Sequence, residues 1–135
     1  MKLLKSMVLV LMAGLIMTAC GGGATPSDVV KKFSEASLNF DFKELSKYVA
    51  KEHIDGYNKL AEQFEAPEAK AYLEGMKAMA KDSKFEILGE TISEDGNTAT
   101  VKVKTSAMGQ EKEDDVNLIK EDGQWKINEN VGFGE

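Results

Sequence analysis

The spacing of hydrophobic residues changes near residue 83, from the repeat of three to four that is typical of helices to the alternation that is typical of strands. Thr25 and Pro26 are typical of the cap and first turn of a helix, and Asp28 completes a capping box. Gly56 indicates that a third helix begins near it. Four stripes predict four helices: Val29, Val30, Phe33, Ala36 and Ser37; Phe42, Leu45 and Val49; Tyr57, Leu60, Ala61 and Phe64; and Ala69, Tyr72, Leu73, Met76, Met79 and Ala80.

Four alternating segments after residue 83 predict four antiparallel strands. Asp95-Gly96 and Asp122-Gly123 are typical of tight hairpin turns, because glycine adopts positive φ without strain. The alternating residues on one face are Phe85, Ile87 and Gly89 of the first strand, Ala99, Val101, Val103 and Thr105 of the second, and Trp125 and Ile127 of the last; Val116, Leu118 and Lys120 mark the third strand, and the lysine side of each strand is predicted to face water. Helices followed by strands predict an α+β fold, with the N-terminal helices packed on one face of the sheet.

Three segments resemble a known family: "TPSDVV" at residues 25–30, "DFKEL" at residues 41–45 and "DGQWKI" at residues 122–127. They are similar to small bacterial lipoproteins of the nuclear-transport-factor-2-like superfamily, of the uncharacterised or lumazine-binding-like type. The resemblance covers about residues 25–130. It implies a cystatin-like cone, in which a curved four-stranded antiparallel sheet cradles the helices and Trp125 packs inside.

Residues 1–19 are typical of a secretory signal, with a basic start at Lys2 and Lys5 and an uncharged run at residues 7–17. That run is shorter than the roughly 20 apolar residues that span a bilayer. It ends in Met17-Thr18-Ala19-Cys20, which resembles the bacterial lipobox. In lipoproteins the chain is cut before this cysteine and its thiol is lipidated, so we expect acyl chains on Cys20 to hold the protein at a membrane.

The same reasoning divides the chain into a signal at residues 1–19, a lipidated cysteine with a flexible tether at residues 20–26, and one domain at residues 27–135. Gly21, Gly22 and Gly23 suit a tether because glycine bends freely. The expected location is the bacterial cell envelope. By resemblance, Gly21 after the cysteine favours the outer membrane in a Gram-negative host.

The net charge and the lack of arginine argue against a nucleic-acid partner. The chain has a net charge of −6, and removing residues 1–19 takes away two lysines and no acid. It contains no arginine, so it lacks the bidentate donor that suits phosphate. We therefore expect no nucleic-acid partner. The expected partners are the membrane, through the lipid anchor, and a small ligand or another envelope protein.

Candidate chemistry is sparse. His53, the single histidine, and Asp55 are weak acid or base candidates, and a solvated loop position is favoured for His53. Residues 111–115, "EKEDD", lack the alternating oxygen ligands and glycine of calcium loops, so they favour a solvated strand start that protects a sheet edge. No motif indicates a cofactor or a metal site.

Aromatic and methionine side chains suggest a pocket, although the same spacing also suits an ordinary core. The possible pocket residues are Tyr48, Tyr57, Phe64, Tyr72, Met76 and Trp125. Three functions stay open. The first is a non-enzymatic lipoprotein that binds a small ligand or a protein. The second is a small enzyme that uses an acid or base in the cone, and the third is an accessory lipoprotein without a pocket.

Overall fold

The computed structural model describes residues 23–129. Four helices precede four strands, as the change of period predicts: α1 Pro26–Leu38, α2 Phe42–Leu45, α3 Lys51–Gln63, α4 Pro67–Ala80, β1 Lys84–Ile92, β2 Thr98–Ala107, β3 Gln110–Glu121 and β4 Gln124–Ile127. The strands form one antiparallel sheet in the order β1-β2-β3-β4. The predictions for the signal, the lipidated Cys20 and the start of the tether lie outside the described residues.

Helix α1 begins and ends through local hydrogen bonds. The Thr25 hydroxyl accepts a bond from the Asp28 amide at 3.1 Å, and the Thr25 amide donates to the Asp28 carboxylate at 3.0 Å. At the other end, the amide of Phe40, which has a φ of 53°, donates to the Ser37 carbonyl. The capping box predicted from the sequence is therefore confirmed, and the helix starts at Pro26.

The next two helices differ from the predicted ones. Helix α2 is a single turn, and Val49 lies beyond it in an isolated parallel bridge with Ile127. Helix α3 begins at Lys51 and contains Gly56, so the predicted start near Gly56 was wrong. Its N-cap, Ala50, has no side-chain cap and instead donates its amide to the Ile127 carbonyl at 2.9 Å. A start that depends on a distant strand leaves no signal in the local sequence.

Gly56 offers a test of helix stability. A Cβ built at Gly56 would meet no heavy atom within 4 Å, so alanine fits without strain. We expect Gly56→Ala to stabilise the protein by about 1 kcal/mol, because glycine loses more backbone entropy in a helix. The shift of the urea midpoint measures this. Gly123→Ala is the matched control and should destabilise, since Gly123 has a φ of 77°. A lower midpoint for Gly56→Ala would contradict the expectation.

The hairpin turns use positive φ, as their glycines predict. Gly96 has a φ of 72°, and the pair Asp122 and Gly123 has φ values of 51° and 77°. The turn between β2 and β3 has the same pattern at Met108, 53°, and Gly109, 75°. Two successive positive φ values match the right-handed twist of the flanking strands and favour Asn-Gly or Asp-Gly.

Met108 is therefore the wrong residue type for its turn. Its side chain is 83% exposed, so it contributes little packing, and its left-handed backbone costs about 1 kcal/mol. We expect Met108→Asn to stabilise the protein by about 0.5–1 kcal/mol, since asparagine tolerates this conformation. Differential scanning calorimetry tests it, with Met79→Asn as a control at another exposed methionine, 69% exposed, inside α4. Equal shifts for the two variants would contradict the assignment.

A β-bulge changes the face of the second half of β1. The register shifts between Ile87 and Gly89, so Glu90 pairs with Val101 on the inner face. The predicted alternation, which placed Gly89 on the same face as Ile87 and Glu90 on the opposite face, was wrong beyond Ile87. The inward Glu90 carboxylate accepts bonds from the amide and the hydroxyl of Ser27, both at 2.8 Å. The bulge thus supplies the anionic partner that the first turn of α1 favours.

The core lies between the sheet and the helices α1, α2 and α3. Lys102 is exposed on the outer face, and β2 buries Ala99, Val101 and Val103 on the inner face, as predicted. Helix α4 buries only Leu73, whereas Tyr72 is 63% exposed, so the predicted inward stripe of α4 was wrong at Tyr72 and Met79. Among residues 23–129, no helix combines the length and the apolar character needed to cross a bilayer.

Candidate functional site

An open groove of about 340 Å³ lies between the second half of α1 and one end of the sheet. We call it the α1–sheet groove. Its size falls within the usual range of small-molecule sites. It is lined by Val30, Phe33, Ser34, Ser37 and Leu38 of α1, Lys84 and Phe85 of β1, Val103 and Thr105 of β2, Asp114, Asp115 and Val116 of β3, and Glu129 after β4.

The strand register explains why the groove forms at this end. Val103 pairs with Asp114, so the inner face of β3 changes from Leu118 and Val116 to a carboxylate. On β2, the next inner residue after Val103 is Thr105, which is exposed. The inner face therefore loses bulky apolar side chains where α1 approaches its end. Buried Val30, Phe33 and Val103 form the floor of the resulting groove.

The charged groups that face the groove lie on its β3 side. Asp114 and Glu129 line the β3 side with their carboxylates, and Asp115 and Lys84 line the groove from strand positions whose side chains belong to the outer face. The Asp114 carboxylate is 3.3 Å from the Lys112 ammonium. The Glu129 carboxylate accepts bonds from the amide of Asn117 at 3.1 Å and from its side chain at 2.8 Å. These bonds fix the Glu129 side chain against the edge of β3, just beyond the end of β4.

A second groove, of about 370 Å³, is more polar and lies where α3 and α4 approach the loop after α1. The Phe42 and Phe64 rings stack in it, with centroids 5.0 Å apart. An ion pair joins Lys43 and Glu65 across exposed side chains at 3.0 Å. Because this groove is shallower and less apolar, the α1–sheet groove is the better candidate for a ligand.

The sequence profile of a family described as "Domain of unknown function (DUF4878)" matches residues 18–128. The chain belongs to the DUF4878 family. A search of curated proteins found no match for it.

A solved structure has the same fold as this DUF4878 domain. The crystal structure of a Campylobacter jejuni protein, at 2.00 Å resolution and described as a candidate NTF2-like transpeptidase, superposes with a TM-score of 0.54. The two chains are 18% identical, and the match covers 79% of this chain and all of the other. At this identity the likeness shows the fold alone, and it confirms the nuclear-transport-factor-2-like architecture predicted from the sequence.

The DUF4878 fold does not gather the six suggested pocket residues around one groove. Phe64 lines the second groove, and none of the other five lines either groove. Tyr57 is buried with its ring edge-on to Phe33, at 6.1 Å between centroids. Trp125 is buried under the Lys120 ammonium, 5.3 Å from its ring. Met76 of α4 is half-buried, and Tyr72 is exposed.

His53 lies in the first turn of α3, rather than in the solvated loop that its sequence favoured. Its side chain is only 18% exposed, and its Nε2 atom is 3.3 Å from the Glu52 carboxylate. Neither His53 nor Asp55 lines the α1–sheet groove. The carboxyl groups that face that groove are instead those of Asp114 and Glu129.

Tyr48 belongs to a small polar cluster at the end of α2, with Glu44 of the helix and Lys47 after it. Its hydroxyl donates to the Glu44 carboxylate at 2.7 Å, and the Lys47 ammonium donates to the same carboxylate at 2.7 Å. The bond from Lys47, followed by that from Tyr48, lowers the pKa of Glu44, and the bond to Glu44 raises the pKa of Tyr48.

We expect Tyr48→Phe to raise the pKa of Glu44 toward its ordinary value, which NMR titration of its carboxyl carbon measures. A lowered folded-state pKa contributes stability above the unfolded-state pKa, and this is lost as the pH falls through the folded-state value. Tyr48→Phe should therefore weaken the acid dependence of stability. Tyr72→Phe, on exposed α4, is the control and should leave Glu44 unchanged. An unchanged Glu44 pKa in Tyr48→Phe would contradict the assigned bond.

The acidic run at residues 111–115 is divided between two faces by its position in β3. On the outer face, Asp115 pairs with Lys102 and Glu113 pairs with Lys104, whereas Asp114 lies on the inner face. Within the described residues, β4 pairs only with the other end of β3, so the run lies along an edge. Across residues 23–129, no three His, Cys, Asp or Glu side chains are grouped to hold a metal ion.

Sequence reasoning missed most of the groove lining. Ser34 lies beside the predicted stripe of α1, Ser37 lies within it, and Thr105 and Asp114 continue the apolar rows of their strands. The available signal was the replacement of large apolar residues by small or polar ones at inward positions. Its meaning depends on the pairing of β2 with β3, which places these substitutions at the same end of the sheet.

Proposed function

We propose that this DUF4878 protein is a lipid-anchored lipoprotein of the bacterial envelope that holds a small ligand in the α1–sheet groove. The apolar, half-open groove is the observation that carries the proposal. Three buried side chains provide its floor, and polar groups stand at its rim. This is the usual composition of a small-molecule site.

The anchor rests on the sequence around Cys20. Met17-Thr18-Ala19-Cys20 follows an apolar run of signal length, and the family match begins at residue 18. The Thr25 cap and α1 begin within a few residues of Cys20, and this short spacing supports a domain held close to the membrane by the proposed anchor. A more specific form of this proposal is that the protein is of the lumazine-binding-like type. Binding of lumazine, a planar ring system, tests that form.

A groove-filling variant tests ligand binding. N-phenyl-1-naphthylamine is a neutral dye that fluoresces in apolar sites. We expect the full-length protein to bind it and Ser34→Leu, which adds bulk inside the groove, to bind it less. Ser106→Leu is the matched control, because Ser106 lies on the outer face of β2. Equal binding by the two variants would place the dye elsewhere and remove the support for the groove.

Metabolic labelling tests the anchor. Cells that express the full-length chain are supplied with labelled palmitate and then fractionated. We expect label on the wild type and none on Cys20→Ser. A double variant, Cys20→Ser with Ala24→Cys, restores a thiol without the preceding lipobox and should also stay unlabelled. Label on Cys20→Ser, or wild-type protein free of the envelope fraction, would refute the anchor.

A further inference from the structure

The two sides of the α1–sheet groove differ in charge. On the β3 side, the carboxylates that face the groove are those of Asp114, on the inner face, and Glu129, after β4. Asp115 and Lys84 also line the groove, but the strand register places their side chains on the outer face, with Lys102 and Ser106. Since β2 separates β1 from β3, the backbones of these two strands are about 10 Å apart. Lys112 pairs with Asp114 and offsets part of the negative charge on the β3 side. The charge that remains has the same sign as the net charge of the whole chain, which is −6.

The acidic side is partly ordered before any ligand arrives. Asn117 holds the Glu129 carboxylate through two hydrogen bonds, so this group loses little side-chain entropy on binding. Asp114 is exposed at the rim. A cation bound there keeps part of its hydration and avoids the cost of full desolvation.

The floor of the groove favours an apolar part of a ligand, whereas the rim favours a charged part. Val30, Phe33 and Val103 are at most 6% exposed, and the half-buried Phe85 and Val116 extend the apolar surface. An apolar body against these side chains is stabilised by the removal of its surface from water. The groove thus joins an apolar floor to an anionic rim on one side.

We propose that the ligand of the α1–sheet groove is a small organic cation, with an apolar body on the floor and a positive group beside β3. This rests on the proposed function, because it names the ligand class of the same groove. Phosphorylated or carboxylate ligands are disfavoured on the β3 side by repulsion from Asp114 and Glu129.

Three probes with one body and different charges test the class. They are 3-phenylpropylammonium, 3-phenylpropan-1-ol and 3-phenylpropanoate. The full-length protein in nanodiscs of zwitterionic lipid is titrated, and amide shifts of Val103 and Thr105 report binding, with empty nanodiscs as the reference. We expect the dissociation constant to rise about threefold from cation to alcohol, and again from alcohol to anion.

Replacing the two groove carboxylates by neutral amides should remove the order of affinities among the three probes. In Asp114→Asn with Glu129→Gln we expect the three probes to bind within about twofold of each other. The matched control, Glu111→Gln with Glu113→Gln, removes the same charge from the outer face of the same strand and should keep the preference. Added salt should weaken the preference of the wild type for the cation.

The outcomes separate this inference from the proposed function. Equal binding of the three probes, or tighter binding of the anion, overturns the cation and leaves the groove as a ligand site. A failure of all three to shift the groove amides overturns both. Probe binding that appears only when residues 130–135 are deleted identifies that segment as the occupant and also overturns the inference.

Discussion

Trp125→Ala should cost about 3–5 kcal/mol of the free energy of unfolding, the largest loss that we expect from one substitution. Trp125 is 9% exposed on the short strand β4, and its ring lies under the Lys120 ammonium. Removing the ring leaves a cavity under the sheet and a lysine without its aromatic partner. Small domains have about 5–15 kcal/mol of total stability, so the variant should be close to unfolding.

Urea unfolding followed by far-UV circular dichroism measures this loss without using tryptophan fluorescence. Trp125→Phe, which keeps an aromatic ring, should lose less. Tyr72→Ala removes an exposed aromatic side chain and should change stability by no more than about 0.5 kcal/mol. Comparable losses for Trp125→Ala and Tyr72→Ala would show that the burial of Trp125 does not stabilise the fold.

Leu45→Ala has the second largest expected effect, a loss of about 2–5 kcal/mol. Leu45 ends the single turn of α2 and has no exposed surface. A helix of four residues cannot be stable alone, because its nucleation cost is not recovered by propagation. Buried Leu45 and Phe42 must therefore hold α2 in place through tertiary packing.

The same substitution at Leu88 provides the control, since Leu88 is 40% exposed at the bulge of β1. We expect Leu88→Ala to cost well under half as much, measured as the difference in urea midpoint at an unchanged slope. If both variants lost equal stability, the assignment of Leu45 to the core would be refuted.

Most of the secondary structure was predictable because its signals are local. The Thr25 cap, the alternation of β2 and the Asp-Gly turn at Asp122 each depend on residues within one turn or one strand. The predictions were wrong where a group that is distant in the sequence determines the local structure. Helix α3 starts at Lys51 because Ala50 bonds to β4, and Glu90 faces inward because a bulge lets it reach Ser27.

The candidate site was much less predictable than the fold. Large aromatic and methionine side chains gave a pocket prediction, but apolar bulk usually fills a core, as Tyr57 and Trp125 do. The groove lies where bulk is absent, at Ser34, Ser37 and Thr105. Small polar residues at inward positions carry little signal by themselves, because they are equally common on exposed surfaces.

The sequence alone determined the order of elements, the α+β class, the exposed lysine of β2 and the prediction of an anchor at Cys20. These follow from periodicity, capping and short motifs, which act between neighbours along the chain. Only the tertiary structure decided that Asp114, Glu129 and Phe33 meet at one groove, because strand register and helix docking bring together residues that are far apart in sequence.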